Sequence, residues 1–537
     1  MTVNALIGRC HLLWTCFRER GIVHRDATSP KTLETNSSPV HDHPPSPVLT
    51  NRSSSTPTRK REMSLPTPAY PHPPIPCPWA FFSLCSIQTL DRMLQNYFRT
   101  LYTLTPIIDQ TSLQSYFSNP QTSSATKQEK HTFCLVLSVC AYYTTAFPRR
   151  FDEYRAHDPT FEARSCREFL HRCETFILSQ RPVEYFEVSM HEKCVIAYFL
   201  ALSFGLIGLP GRAFWYIAEA KYHIRRLGYD SQSRYAELDD IQSELAKRMY
   251  WLYVVTEIHE HLGLEEQNTE WEPLPSDRLF RRRDFAFLYS MQTKTKTSST
   301  TNPPTDASDL VSTGLSYLVK IYLTFVSPHP FQAQSIHSIT DATDTDRLHT
   351  HDAGTSPSTI YDIMQRHLEH ALDGAPQDLQ WAWNSTIPSE RHNAPAAVSA
   401  SFNHAGAVRA NLHVSRIWAK SAIFERSVIA QTESHSSAEY DPETWETRIR
   451  IGEELLAFIE SADTSSFEVN APSITSKIRR IAASLLLSEP TIEIPAELGR
   501  RVRDLLHRIL VFLADLNRFS LQDTQFSEGI EKLARHP

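Results

Sequence analysis

Glycine is scarce in this sequence, with 14 residues in a chain of 537. Folds that bind nucleotides place glycine in the tight loops that cradle phosphate groups. The chain contains neither a Gly-rich phosphate loop nor a dinucleotide-binding fingerprint. The shortage of glycine therefore argues against an enzyme built on a doubly wound parallel sheet.

Cysteine is also sparse, with nine residues and no CxxC pair. This density does not indicate a disulfide framework and fits a reducing compartment. We expect Cys134, Cys140, Cys166 and Cys173, which lie on apolar helical stripes, to be small buried side chains rather than metal ligands. The sequence predicts no metal or organic cofactor from these residues.

The chain lacks long apolar runs and a dominant charge. No stretch approaches the roughly 18 uninterrupted apolar residues of a membrane helix, so no membrane partner is expected. The 54 Lys and Arg stand against 61 Asp and Glu, which gives a net charge of −7. A chain with this balance does not indicate general affinity for nucleic acid.

Residues 1–78 differ from the rest of the chain. Twelve of the 34 prolines lie in 39–78 among Ser, Thr and His, and the segment has nine basic and five acidic residues. Such a composition predicts a disordered basic tail at +4, which leaves −11 for the remainder. Within the tail, Arg59, Lys60 and Arg61 form a short basic run that is a candidate nuclear-import signal.

From residue 79 onward, apolar residues recur at three- and four-residue spacing and strand-like alternation is almost absent. We therefore predict an all-α, irregular multi-helix array, with a first half over 79–292, a low-complexity linker over 293–314 and a second half over 315–537. A helix that begins at Pro210-Gly211 is expected to end at Gly228. In the second half the pattern predicts helices over 315–325, 359–372, 397–428, 443–461, 474–487 and 495–516.

Catalytic motifs are missing in every class that a single sequence can reveal, including the nucleophile elbow and closely spaced metal ligands. This pattern favours a protein that is not an enzyme. A helical enzyme with an unrecognised site among the 24 histidines stays open as an alternative. The tryptophans, including Trp215, Trp251 and Trp418, are available for core packing or for lining an effector pocket.

Basic pairs occur on several of the expected helices. Arg225-Arg226, Lys247-Arg248, Arg479-Arg480 and Arg500-Arg501 each have acidic neighbours in the sequence. Pairs of this kind predict solvated helix faces rather than a DNA-binding surface.

One block of the chain resembles a known family. Over 211–253 a small-residue helix ends in Leu227-Gly228, a Leu-Asp-Asp-Ile lead-in follows, and then come Lys247, Arg248 and Trp251. This order is similar to the middle homology region of fungal zinc-cluster transcription factors. Segments 97–109, 315–331, 410–422 and 477–486 also resemble helices of that family, in the branch that includes sugar-utilisation activators.

The resemblance implies a nuclear regulator of transcription that controls a metabolic or biosynthetic gene set through an all-helical regulatory domain. It implies co-regulators or the transcription machinery as partners, a small-molecule effector, and a homo- or heterodimer. The residues carried over are Gly228, Lys247, Arg248 and Trp251. Target genes and the sign of regulation do not follow from it.

Two departures from the family qualify this expectation. The family's Gly-Arg-Pro-like stretch has no equivalent in 262–271, and residues 1–78 contain only Cys10, Cys16 and Cys77 of an expected six-cysteine zinc cluster. Direct DNA binding is therefore not predicted from this chain. Either a cluster is encoded upstream, with zinc as its cofactor, or the chain acts as a partner or repressor of a DNA-binding factor.

Overall fold

The computed structural model describes residues 84–118, 127–264, 307–326, 357–381, 404–434, 442–485 and 495–517. Throughout these residues the regular structure is helical and no β-strand element occurs. The prediction of an all-α multi-helix array is confirmed. No helix in the described ranges combines the length and apolar character needed to cross a bilayer.

The described residues of the first half form nine α-helices, of which α6 is central. Helix α6 is buried on nearly every side, packs against α7 and α3, and α3 in turn contacts α5 and α1. A short 3-10 turn at Leu101–Thr103 follows the first helix. In chain order the helices are α1 Ile87–Arg99, α2 Gln110–Ser118, α3 Lys127–Ala146, α4 Pro148–His157, α5 Cys166–Ser179, α6 His191–Leu206, α7 Pro210–Leu227, α8 Gln232–Tyr235 and α9 Asp240–Leu264.

The second half is arranged around the longest described helix, α12, which contacts α10, α11, α13 and α14. Helix α15 packs on α13 and α14. The helices are α10 Ala307–Leu323, α11 Pro357–His370, α12 His404–Ser434, α13 Pro442–Ser461, α14 Thr464–Ser484 and α15 Ala496–Asn517, with a 3-10 turn at Gln377–Leu379.

The two halves share one core. Helix α9 packs against α10, and the turn Leu101–Thr103 contacts α12. Buried side chains of both halves belong to a single apolar cluster, in which Trp251 and Trp418 are among the largest fully buried residues. The division at 293–314 is therefore a division of sequence composition, while the core is continuous across it.

Local sequence accounts for several helix ends. The Ser165 hydroxyl accepts from the Glu168 N–H and so caps the start of α5, while the Glu168 carboxylate accepts from the N–H of Arg164, one residue before the cap. Helix α7 starts at Pro210 and ends at Gly228, which has a φ of 69°. This left-handed conformation is the one that glycine adopts at low cost, so the predicted stop is confirmed.

Scarce glycine is also used where helices approach closely. A Cβ atom on Gly452 of α13 would lie 2.6 Å from Leu505 Cδ2 of α15, and one on Gly314 of α10 would overlap Val408 of α12. A larger residue at either position would have to displace the side chain of Leu505 or of Val408. These two glycines therefore leave room for a side chain of the facing helix.

Some predicted boundaries differ from the structure. Helix α10 begins at Ala307, so residues 307–314 of the predicted linker are helical, and 293–306 lie outside the described residues. Helix α14 begins at Thr464, ten residues before the predicted start, because the Asp463 carboxylate caps it and Phe467 and Ala471 extend its buried stripe. Helix α12 extends beyond 428 to Ser434.

Candidate functional site

A lysine is buried in the interior of the second half. Lys477 on α14 is only 1% exposed, and its Nζ donates to Ser415 Oγ at 2.6 Å and, more weakly, to Asn411 Oδ1 at 3.4 Å, both on α12. No carboxylate pairs with this amine in the part of the chain that the structure describes. A buried cation whose partners are neutral oxygens is uncommon, because burial removes the water that would solvate its charge.

Lys477 lies beside a group of aromatic rings that three helices supply. Its Nζ lies 5.6 Å from the ring centre of Tyr322 on α10. The Trp418 ring on α12 lies 5.6 Å from Tyr322 and 5.4 Å from His259 of α9. The Tyr322 hydroxyl and His259 Nδ1 are 3.4 Å apart. The guanidinium of Arg480 on α14 lies 5.8 Å over the Trp418 ring. We call this group of side chains the Lys477 cluster: Lys477, Arg480, Asn411, Ser415, Trp418, Tyr322 and His259.

Positive charge and burial act together on the titratable groups of the Lys477 cluster. Burial, and next the charge of Arg480, lower the pKa of the Lys477 amine to about 7. Burial, and then Lys477 and Arg480, lower the pKa of His259 to about 3, so its imidazole is neutral near pH 7 and can accept the Tyr322 hydrogen. Burial also raises the pKa of nearby Glu260, an effect that Arg480 opposes.

The Lys477 cluster has more hydrogen-bond donors than acceptors. The ammonium carries three donors, and the Trp418 indole N–H, which is buried, has no hydrogen-bond partner among the described residues. The acceptors near the amine are Ser415 Oγ and Asn411 Oδ1. The buried Trp418 N–H is therefore left without an acceptor among the described residues, and the Lys477 amine is partly deprotonated at neutral pH.

A second buried polar group, the Glu219 cluster, lies between α6, α7 and the loop 180–190. The Glu219 carboxylate accepts from Arg181 Nη2 at 2.7 Å and from the Tyr185 hydroxyl at 2.8 Å. Lys193 Nζ donates to the carbonyl oxygens of Tyr185, at 2.6 Å, and Val188. His223 on α7 completes this cluster, with Nδ1 3.0 Å from the Ser189 hydroxyl. Its charged groups have partners of opposite sign or carbonyl oxygens.

Burial, and then the charges of Lys193 and Arg181, lower the pKa of His223 to about 4. Burial, with Glu219 adding to the effect, raises the pKa of the Tyr185 phenol well above its usual value. The imidazole is therefore neutral and the phenol protonated near pH 7, so the protonation states match the hydrogen bonds that hold the loop 180–190 on α7.

The family-motif residue Arg248 joins separate parts of the fold. Its side chain is buried, donates from Nε to Glu244 Oε1 at 2.9 Å, and reaches the carbonyl of Pro106 and the hydroxyl of Ser312 on α10. Segment 97–109, the motif helix α9 and α10 therefore meet at one guanidinium. The prediction that the Lys247-Arg248 pair forms a solvated face is wrong for Arg248, because the adjacent turn and α10 cover it.

The other family-motif positions have structural contacts. Gly228 ends α7, the Lys247 ammonium lies 5.7 Å over the Tyr235 ring, and Trp251 is buried against Tyr250. Arg59, Lys60 and Arg61 lie outside the described residues. Of the family-motif residues, Arg248 therefore lies at a junction between helices, whereas Gly228 lies in the turn that ends α7.

The tryptophans divide between core and surface. Trp251 and Trp418 are each 1% exposed, and Trp381 packs on Phe458 at 5.1 Å between ring centres. Trp215 on α7 is 72% exposed. The expectation of core packing is met by the buried pair, while Trp418 is in addition part of the Lys477 cluster.

The four paired cysteines are buried thiols, as expected. Cys134, Cys140, Cys166 and Cys173 are all buried, and burial raises the pKa of each thiol. Within the described ranges no group of three or more His, Cys, Asp or Glu is placed to hold a metal ion. Cys10, Cys16 and Cys77 lie outside those ranges.

The basic pair Arg500-Arg501 on α15 lies on a solvated helix face, as predicted. Arg500 binds Glu497, and Arg501 binds Glu446 and Glu453, all on exposed helix faces. Arg225 and Arg226 are exposed. The Arg479-Arg480 pair was also predicted to form a solvated face, but Arg480 is partly buried and belongs to the Lys477 cluster.

Lys477 itself was identified from the sequence only as the first residue of a motif segment. A signal was present, since Ile474, Ile478 and Ile481 are fully buried and Lys477 lies on the same helical stripe. A charged residue inside an apolar stripe is the pattern that marks a buried polar site. The partners on α9, α10 and α12 lie 60 or more positions away, so the sequence pattern does not reveal them.

Comparisons with known proteins add no assignment. The chain matches no protein-family model and no curated protein sequence.

Proposed function

We propose that this protein is a nuclear regulator of transcription of the fungal zinc-cluster type, which acts through an all-helical regulatory domain that responds to an effector or partner. The chain has a binding rather than a catalytic role in this proposal. A metabolic or biosynthetic gene set is the expected target. The resemblance over 97–109, 211–253, 315–331, 410–422 and 477–486 is the starting point.

One structural observation supports the proposal most. Three of the resembling segments meet at the Lys477 cluster, since Tyr322 comes from 315–331, Trp418 from 410–422 and Lys477 from 477–486. Arg248 connects two others, 97–109 and 211–253. Segments that resemble helices of one family in the same order, and that also pack together, are consistent with a single regulatory domain.

A reporter assay tests the proposal. The full chain is fused to a heterologous DNA-binding domain, and reporter output is measured in fungal cells over a range of carbon and nitrogen sources. We expect output that changes with growth condition, in either direction. A fusion that is expressed and nuclear, yet neither activates nor represses in any condition, would contradict the proposal.

The import run and the need for a partner are tested in the same cells. Replacing Arg59, Lys60 and Arg61 by alanine should reduce nuclear accumulation of a fluorescent fusion, with Arg500→Ala and Arg501→Ala as a control pair on the exposed face of α15. Unchanged accumulation would remove this run from the proposal. The unfused chain, assayed on a reporter driven by an intact zinc-cluster factor, distinguishes a repressing partner from an independent activator.

A further inference from the structure

We propose that the outward face of helix α7 is a docking surface for an amphipathic helix with acidic ends, supplied by a partner protein. The inference rests on the proposed function in one respect, because it names the surface and the chemistry by which the regulatory domain would meet a partner. Exposed side chains recur along α7 at three- and four-residue spacing, which places them on one side of the helix. We call them the α7 stripe: Arg212, Trp215, Ala218, Tyr222, Arg225 and Arg226.

The middle of the α7 stripe is aromatic and exposed. Trp215 is 72% exposed, and Tyr222, two turns further along the helix, is exposed as well. Helix α7 already packs on α6 through its other side, where Ile224 is buried and the Tyr216 ring stacks on Phe204 at 5.6 Å. The Trp215 ring therefore faces away from the helices that the structure describes, and exposed aromatic surface of this kind marks an interaction site.

The loop 180–190 forms one side of this surface and is tied to the α7 stripe. The Tyr222 hydroxyl donates to the Phe186 carbonyl at 2.7 Å, and the two rings lie 5.6 Å apart. Arg226 Nη2 donates to the carbonyl of Glu187 at 3.1 Å. The Phe186 and Val188 side chains are themselves exposed, so the apolar surface continues from α7 onto the loop. A surface already held by such contacts loses little conformational freedom when a partner binds.

Both ends of the α7 stripe carry positive charge. Arg212 lies at its start, and Arg225 and Arg226 lie at its end. The only carboxylate of α7, Glu219, is buried. Arg212 pairs with the largely buried Glu174, while about half of the Arg212 side chain stays exposed. Acidic side chains at the two ends of a partner helix would therefore meet arginine, with aromatic rings between them.

The exposed carboxylates near the α7 stripe belong to the loop rather than to α7. Glu184 and Glu187 are both exposed, and Glu187 meets Arg226 through its backbone carbonyl. Among the described residues, neither carboxylate forms an ion pair with the stripe. Arg225 and Arg226 are thus placed to bind acidic groups of a partner.

The same charges argue against a second copy of this chain as the occupant. Whether two α7 stripes lay parallel or antiparallel, arginine would face arginine at both ends of the contact, and like charges across an interface are unfavourable. A different protein that supplies the acidic ends avoids this repulsion. At about 1.5 Å per residue, a partner helix that reaches from Arg212 to Arg226 needs about 15 residues.

The test is fluorescence anisotropy on the purified full chain with a fluorescein-labelled synthetic peptide of about 15 residues. The peptide carries aspartates at both ends, with leucine and phenylalanine at helical spacing between them. A matched peptide with lysines in place of the aspartates is the control for charge. We expect the acidic peptide to bind, and the lysine peptide to bind at least about tenfold more weakly.

Variants locate the binding on the α7 stripe. Trp215→Ala should weaken binding of the acidic peptide by about tenfold or more, because it removes the large ring at the centre of the contact. Arg225→Ala together with Arg226→Ala should weaken it several-fold and reduce its dependence on salt. Val511→Ala, which removes an exposed apolar side chain of α15, is the control that should bind normally.

Several results would overturn the inference. These are no binding of the acidic peptide, equal binding by the native chain and a folded Trp215→Ala variant, and tighter binding of the lysine peptide. A dimer in analytical ultracentrifugation that Trp215→Ala abolishes would assign the α7 stripe to a second copy. Binding to phosphatidylserine vesicles that depends on Trp215, without peptide binding, would assign it to a membrane surface.

The outcomes also separate this inference from the proposed function. Acidic-peptide binding together with an inert reporter fusion would support the docking surface and remove the transcriptional proposal. A responsive reporter fusion whose chain binds no acidic peptide would overturn the docking surface and leave the transcriptional proposal in place.

Discussion

The molecule contains two buried lysines in very different surroundings. Lys193 in the Glu219 cluster donates to two backbone carbonyls at the start of a helix, beside a carboxylate that is itself held by Arg181 and Tyr185. Lys477 has two side-chain oxygens and the charge of Arg480 nearby. The first lysine holds a loop in place through backbone carbonyls, whereas the second is held only by neutral side chains of a neighbouring helix.

The partners of each lysine determine how its substitution should change the stability of the folded state. A buried charge that is fully paired is costly to disturb, because removing one partner leaves the other uncompensated. A buried amine without an anion gains little from its charge and can give up its proton instead. We therefore expect substitutions in the Glu219 cluster to affect stability most, and substitutions in the Lys477 cluster to affect how stability depends on pH.

The largest effect is expected for Glu219→Gln. This change keeps the shape of the side chain but leaves Arg181, which is largely buried, without its anion. The free energy of unfolding should fall by about 3 kcal/mol, measured by urea denaturation at pH 7. Glu237→Gln removes an exposed partner of Arg234 and should cost less than about 0.5 kcal/mol. Equal losses for the two variants would show that the Glu219 pairing is not what stabilises this region.

The direct comparison of the lysines comes next. Lys193→Met leaves the carbonyls of Tyr185 and Val188 without a donor and should lower the free energy of unfolding by about 2 kcal/mol. Lys477→Met replaces a buried amine by an apolar chain of similar length and should change it by less than about 1 kcal/mol at pH 7. Guanidinium denaturation of both variants measures the difference. If Lys477→Met proves the more damaging change, the contrast between the clusters fails.

A pH series sharpens the comparison further. The folded pKa of Lys477 is about 7, below the unfolded value near 10.5, so between these values the unfolded chain binds the extra proton. Stability contributed through this group therefore rises with pH, and the native chain should gain about 1.4 kcal/mol relative to Lys477→Met between pH 6 and pH 8. The measurement is the difference in unfolding free energy of the two proteins at each pH. A difference that stays constant over this range would contradict a titrating Lys477.

The smallest effect is expected for Arg480→Gln. Removing this charge removes its repulsion of the protonated Lys477 amine, so the pKa of the amine should rise. The pH at which the difference in unfolding free energy changes should therefore move upward by roughly half to one pH unit. At pH 7 this amounts to less than about 1 kcal/mol. Arg503→Gln, on the exposed face of α15, should leave the step where it is. A step that is unmoved by Arg480→Gln would remove Arg480 as the source of the shift.

The fold class and several helix ends could be predicted from local sequence. The spacing of apolar residues indicates where the helices lie. Pro210 and Gly228 set the two ends of α7, because each acts through the local backbone conformation. The start of α14 at Thr464 was missed, since a polar stretch around Ser465 and Asn470 obscures its buried positions. The Asn470 amide donates to the carbonyl of Ala407 on α12, a contact that only packing supplies.

The candidate site was much less predictable. Lys477, Trp418 and Tyr322 lie in three segments that each resembled a family helix, yet their residue types alone did not indicate that they meet. The burial of Arg248 was likewise the opposite of what a basic pair on a helix suggests. Both cases depend on which helices cover a side chain, and that is a property of helix packing rather than of helix formation.

Sequence alone determined that the described part of this chain is built of helices, that its paired cysteines are buried hydrophobic groups, and that Gly228 ends a helix. These features follow from spacing and backbone conformation within a few residues. Tertiary structure decided which partners the buried charges have: Lys193 donates to backbone carbonyl oxygens, while Lys477 donates to the neutral side chains of Ser415 and Asn411 and lies near the Tyr322 ring and the charge of Arg480. Burial and Coulomb interactions act through space, so Lys477 depends on side chains of α12 that lie more than 60 positions away, whereas Lys193 is held by carbonyls within eight positions.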